Sequence, residues 1–130
     1  MKFILSGDTH GTFDLDKIIT FFQKQNTTYT KEDYLIICGD TGICGYSETE
    51  ETKVRHILRN LPVTTLFIDG NHEDFKKLNA FPVEKWHGGN VHFIEKDIIH
   101  LMRGQIFNLS GITFFTFRSE EHTSELQSHS

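Results

Sequence analysis

The sequence predicts an α/β fold assembled from parallel strand-helix-strand units. Three hydrophobic runs, Lys2-Phe3-Ile4-Leu5, Tyr34-Leu35-Ile36-Ile37-Cys38 and Thr65-Leu66-Phe67-Ile68, read as buried strands. Between them lie two segments whose apolar residues recur with helical spacing. The order strand-helix-strand-helix-strand is that of right-handed parallel βαβ units.

Each element has its own local reason. Asp14 is a candidate helix N-cap, and Leu15, Ile18, Ile19 and Phe22 follow at i, i+3, i+4 and i+7, one apolar helix face. Asn26-Thr27-Thr28 breaks that helix before the second strand. Ser47 with Glu50 three residues later forms a capping box, and Val54, Ile57, Leu58 and Leu61 repeat the helical period until Pro62 stops it. Strand-like segments follow at Val91 to Ile94, Ile98 to Met102, Gln105 to Leu109 and Ile112 to Phe117. Ser110-Gly111 joins the last two as a tight hairpin turn. Twelve phenylalanines supply much of the core volume, and there are no internal repeats.

The chemistry lies immediately after the first three strands, in Asp8-Thr9-His10-Gly11, Gly39-Asp40 and Gly70-Asn71-His72-Glu73. Parallel sheets bind ligands outside the carboxyl ends of their strands, so these motifs share one edge. Carboxylate, imidazole and amide oxygen together suit hard or borderline divalent metals. Taken singly, each residue has a plainer reading, because Asp caps helices and Gly-Asp or Gly-Asn pairs form turns. Taken together, they resemble the calcineurin-like metallophosphoesterases, whose signature is D-x-H-G, then G-D, then G-N-H-[DE], each after a strand. The resemblance runs from Lys2 to about Phe117. It implies a β-sandwich flanked by helices, of which this chain holds roughly the first half.

The resemblance also implies roles. Asp8 and His10 would bind a first metal, Asp40 would bridge both metals, and Asn71 would bind the second. Two divalent ions (Mn, Fe, Zn or Mg) about 3.5–4 Å apart clamp phosphate oxygens and activate water for in-line attack. His72 would serve the leaving oxygen rather than a metal, and Glu73 would hold the His72 ring from behind. The expected activity is hydrolysis of a phosphate mono- or diester, with a phosphorylated small molecule, nucleotide or other phosphoester as substrate. The rival reading is a non-catalytic metal- or phosphate-binding α/β module. A dinucleotide or P-loop domain is disfavoured, since neither G-x-G-x-x-G nor G-x-x-x-x-G-K-[ST] occurs.

Two departures from the family pattern carry weight. The second motif continues as Thr41-Gly42-Ile43-Cys44, which lacks the Asp-Arg pair of protein serine/threonine phosphatases. The family's later metal-binding histidines, including a G-H-x-H motif, do not occur before Phe117. The chain therefore reads as the N-terminal part of a two-metal enzyme, inactive alone, with Phe114, Phe115 and Phe117 left as exposed apolar surface.

Residues 118–130 have a different character. From Arg118 to Ser128 they resemble, residue for residue, the translation of a common short-read sequencing adapter. Residues 1–117 are therefore taken as the domain portion and 118–130 as a non-native, disordered tail. Of 13 basic and 18 acidic residues, one and three lie in that tail, leaving 12 against 15. This mild acidity, without a Lys/Arg cluster, gives no strong nucleic-acid footprint. No apolar run reaches the roughly 20 residues of a membrane span. The N-terminal apolar stretch is too short for a secretory signal, and Cys38 and Cys44 lack zinc-motif spacing, so a cytoplasmic location is expected. His56 is expected on the solvated side of its helix, His92 and His100 on a polar strand face, and His87 in a structural loop.

Overall fold

Apolar runs and turn residues set the architecture. The computed structural model describes residues 1–7, 15–24, 27–39, 41–43, 47–69, 75–118 and 124–129; for Phe75, Phe117, Arg118 and residues 124–129 it describes the backbone alone. The elements are β1 (Phe3–Ser6), α1 (Leu15–Lys24), β2 (Tyr34–Cys38), α2 (Glu48–Arg59), β3 (Thr64–Ile68) and α3 (Phe75–Asn79). They continue with β4 (Glu84–Trp86), β5 (Gly89–Glu95), β6 (Ile98–Leu101), β7 (Ile106–Leu109), β8 (Ile112–Arg118) and β9 (Ser124–His129).

Six strands form one sheet in the order β1-β2-β3-β6-β5-β4. The pairings β1–β2, β2–β3 and β3–β6 are parallel, whereas β6–β5 and β5–β4 are antiparallel. The other three strands form an antiparallel sheet, β7-β8-β9. On one face of the large sheet, Leu35, Ile37, Phe67 and Ile98 pack with Leu15, Val54, Leu58 and Leu78 from the helices. On the other, Ile36, Leu66, Ile68, Ile99 and Leu101 meet Phe107, Leu109 and Phe114 of the small sheet. Burial on both faces explains why β2 and β3 read as continuous apolar runs rather than alternating ones. The α/β sandwich flanked by helices is thus the observed class.

Local signals are realised where they are described. The Ser47 hydroxyl accepts the Glu50 backbone N–H at 3.2 Å at the start of α2. At its other end, Lys31 Nζ donates to the carbonyls of Arg59, Leu61 and Val63 at 3.1, 2.8 and 3.2 Å. Arg59 closes the helix, where carbonyls lack intrahelical partners, and Leu61 and Val63 lie in the link that leads to β3. Ser110 and Gly111 have φ of 54° and 83° between the paired Leu109 and Ile112. Positive φ at both turn positions matches the right-handed twist of the flanking strands. His87 and Gly88 repeat the device between β4 and β5, with φ of 49° and 96°, so His87 has the structural role expected of it. His56 is exposed, also as expected. The Asp14 cap lies outside the described residues.

Three elements, α3, β4 and β9, were not anticipated, and two expectations need correction. Residues 124–129 are not disordered, because β9 pairs along β8 from Thr113↔His129 to Arg118↔Ser124. The edge of β8 away from β7 takes up this segment, since a ladder depends on main-chain groups more than on side chains. Nor is Phe114 exposed: it is 5% accessible and its ring lies 5.2 Å from that of Phe3. Phe115 is half-buried, and the Phe117 side chain lies outside the description.

Candidate functional site

The site begins with the register of three strands. Ser6 pairs with Ile37, and Cys38 with Ile68, so β1, β2 and β3 finish at a common edge. Pairing persists one step past β2, where Gly39 N–H donates to the Ile68 carbonyl at 3.1 Å. Gly39 has φ of 118°, a backbone state that L side chains rarely adopt, and it turns the chain just before Asp40. Asp8, His10, Asp40, Asn71, His72 and Glu73 themselves lie outside the described residues. What the structure gives is the shared edge from which each of their segments departs.

Next to that edge lies a buried polar chain that sequence reasoning missed. Asp69, directly after β3, meets His100 of β6, with Oδ1 to Nε2 at 2.8 Å. His100 Nδ1 in turn lies 2.9 Å from Nδ1 of His92 on β5. Arg103 Nε approaches the second Asp69 oxygen at 3.3 Å. Asp69, His92 and His100 are only 2%, 1% and 4% exposed. The two histidines were expected on a polar strand face; instead they are buried, because each supplies the other with a hydrogen-bond partner.

Register explains how they meet. His92 stands directly opposite His100, and His100 directly opposite Phe67, two residues before Asp69 on the same strand direction. The histidine rings stack 5.2 Å apart at 11°, and the His100 ring lies 5.0 Å from that of Phe67. Folding the chain back at Lys96-Asp97 is the one sequence signal that could have paired the two histidines. Burial lowers the His92 pKa below its ordinary value; His100 adds to that effect and Asp69 opposes it. Asp69, Leu78, Asn79, His92, His100 and Arg103 line a cleft of about 180 Å³. Among the described residues, no three His, Cys, Asp or Glu side chains are grouped to hold a metal.

The family model for calcineurin-like phosphoesterases matches residues 1–129. The chain belongs to the calcineurin-like phosphoesterase family. The match covers the whole span that carries the three motifs and extends past Phe117. Among curated proteins, the chain is 29% identical to lariat debranching enzyme A of Xenopus laevis, over 94% of this chain and 25% of that protein. It is 30% identical to the lariat debranching enzyme of Danio rerio, over 86% of this chain and 22% of that protein. For the lariat debranching enzyme of Gallus gallus the identity is 26%, over 94% and 25%. The chain therefore spans about a quarter of the length of these relatives. No solved structure matches it at a significant level.

The family generally uses divalent metals, and the described edge is compatible with that. Three parallel strand ends continue in sequence into carboxylate, imidazole and amide donors, a set suited to Mn, Fe, Zn or Mg. Among the described residues, no helix is long and apolar enough to cross a membrane.

Proposed function

We propose that the protein to which this chain belongs is a metal-dependent phosphoester hydrolase. The observation that carries the reading is the placement of D-x-H-G, G-D and G-N-H-E directly after three parallel strands that end together. Asp8, His10, Asp40 and Asn71 would hold two divalent cations, with Asp40 between them. Bound there, the cations supply positive charge against the phosphate oxygens and lower the pKa of water. His72 would donate a proton toward the leaving oxygen, and Glu73 would accept from the His72 ring to fix its orientation.

The substrate class is a phosphate mono- or diester of a small molecule or nucleotide. A lariat, the substrate in the relatives' names, is the second reading. It is weakened by the excess of 15 acidic over 12 basic residues in 1–117 and by the absence there of a Lys/Arg cluster of the kind that binds phosphate backbones. The test is turnover of bis(p-nitrophenyl) phosphate and p-nitrophenyl phosphate by the complete protein with added Mn²⁺. Activity that requires metal and disappears in Asp40→Ala supports the hydrolase; metal binding without turnover favours a non-catalytic module.

A further inference from the structure

A buried ion-paired carboxylate is rarely the most stable way to fill a core position. Apolar side chains of similar volume often do as well or better, while removing one partner of such a pair is strongly destabilising. Asp69 is 2% exposed, and its neighbours across the sheet are His100 and, beyond it, His92. Stability alone therefore does not account for a carboxylate at this point, and its location suggests another reason. Asp69 is the residue immediately before Gly70-Asn71-His72-Glu73, and α3 resumes the described chain at Phe75. Asp69, before that short segment, and Leu78 and Asn79, at the end of the helix after it, line one cleft.

The three side chains form one continuous hydrogen-bonded chain. A carboxylate accepts, so Asp69 Oδ1 takes the Nε2 proton of His100. The two Nδ1 atoms of His100 and His92, 2.9 Å apart, are joined by a proton on one of them. Three adjacent strands are thereby tied together on the helix-side face, the face that also carries Phe67.

We propose that Asp69 and His100 are positioning residues that fix where the chain leaves β3, and so set the placement of Asn71 and His72. The proposal rests on the hydrolase reading for its catalytic consequence, but the geometric claim stands apart from it. Sliding the carboxylate along the strand would break its 2.8 Å hydrogen bond to His100, whose ring is itself held by His92, and its 3.3 Å contact with Arg103. A Phe at position 100 would keep the ring over Phe67 and lose both bonds. A Gln there would keep an N–H donor near the Nε2 position.

The experiment compares His100→Phe, His100→Gln and Asp69→Asn in the complete protein, assayed with bis(p-nitrophenyl) phosphate and Mn²⁺. His100→Phe is expected to lower kcat about 10–100-fold, the usual effect of removing a partner behind a ligand, with KM little changed. His100→Gln should recover most of that loss even where its melting temperature is no higher than that of His100→Phe. A purely structural role would instead make activity follow thermal stability across the three variants. A second measurement is independent of turnover: backbone amide shifts of residues 70–74 in the 130-residue chain should move in His100→Phe and return toward wild type in His100→Gln. Where His100→Phe does not fold, Asp69→Asn against wild type gives the same two readings. Unchanged shifts, or a kcat within about twofold of wild type, would overturn the proposal. Shifts that move in a protein without phosphoesterase activity would uphold the positioning claim and reject the hydrolase.

Discussion

Nδ1 of His92 and Nδ1 of His100 face each other at 2.9 Å with their rings nearly parallel, so the two nitrogens share one proton. Both histidines charged at once would set two N–H donors against each other inside the sheet. Acid must therefore attack the fold here, and the sign follows from the direction of the His92 shift.

In the folded chain, burial chiefly, with the neighbouring His100, holds the His92 pKa below its ordinary 6.5. Asp69 opposes the shift, and Arg103 lies on the far side of Asp69. As pH falls through about 6.5, the unfolded chain takes up a proton at this position that the folded chain refuses, so stability is full above that pH and declines below it. Urea midpoints of the 130-residue chain should thus be lower at pH 5.5 than at 7.5. His92→Asn keeps an amide donor near the Nδ1 position and cannot titrate, so its midpoints should differ less between the two pH values. An identical pH dependence in the variant would contradict the assignment.

Asp33 anchors the opposite end of the parallel strands. Its carboxylate accepts from Lys2 N–H at 2.8 Å and from Thr30 N–H at 2.9 Å. The Thr30 bond is the main reason its pKa lies below the ordinary 3.8, with the Lys2 amide and charge assisting against desolvation. That contribution is present above pH 3.8 and disappears as pH falls through the lower folded value. Asp33→Ala should cost about 1–3 kcal/mol at neutral pH, because two part-buried backbone N–H groups lose a charged acceptor. Chemical denaturation measures it, and an unchanged midpoint would show that water replaces the carboxylate without loss.

Gly89 tests the packing between the sheets. A Cβ built there would lie 2.5, 2.7 and 2.8 Å from three ring carbons of Phe107, a side chain with no exposed surface. The ring has nowhere to retreat, because Trp86 lies 6.1 Å from it and Ile36 and Leu66 pack in the same core. Gly89→Ala should therefore destabilise by about 1–3 kcal/mol through overpacking. Combining it with Phe107→Leu should cost less than the sum of the two single changes, because the smaller side chain relieves the clash. Strict additivity would mean that the backbone of β5 moves instead.

These sites also mark how far the sequence could be read. Leu35-Ile36-Ile37 and Leu66-Phe67-Ile68 are apolar without alternation because both faces of their strands are covered, and they were legible for that reason. Ser110-Gly111 was legible because the turn requires positive φ at both positions. β4 was not, since Glu84 and Lys85 are exposed and three residues show no period. α3, at five residues, is too short for a helical repeat to declare itself. The polar composition of residues 124–129 concealed a strand that main-chain pairing alone supports. Within the candidate site, the motifs were visible as strings, but nothing singled out Asp69, and the alternation around the histidines pointed to a polar strand face. Only the pairing of three strands brings Asp69, His92 and His100 together.

The proposed roles of Asp40 and His72 differ in a way that separates metal binding from proton transfer. Asp40→Ala in the complete protein removes the carboxylate proposed to lie between two cations, so both metal content and turnover should fall. His72→Ala removes a donor toward the leaving oxygen and leaves the proposed ligands intact. Its kcat should drop by about 100- to 10,000-fold, the range for a general acid, while bound Mn²⁺ measured by elemental analysis stays near the wild-type ratio. The loss should be smaller for a substrate whose leaving group needs no proton, such as p-nitrophenolate, than for one that leaves as an alkoxide. Metal lost together with activity in His72→Ala would make the histidine a ligand instead. An equal loss for both leaving groups would remove proton donation from its role, since the acid matters only where the departing oxygen is basic.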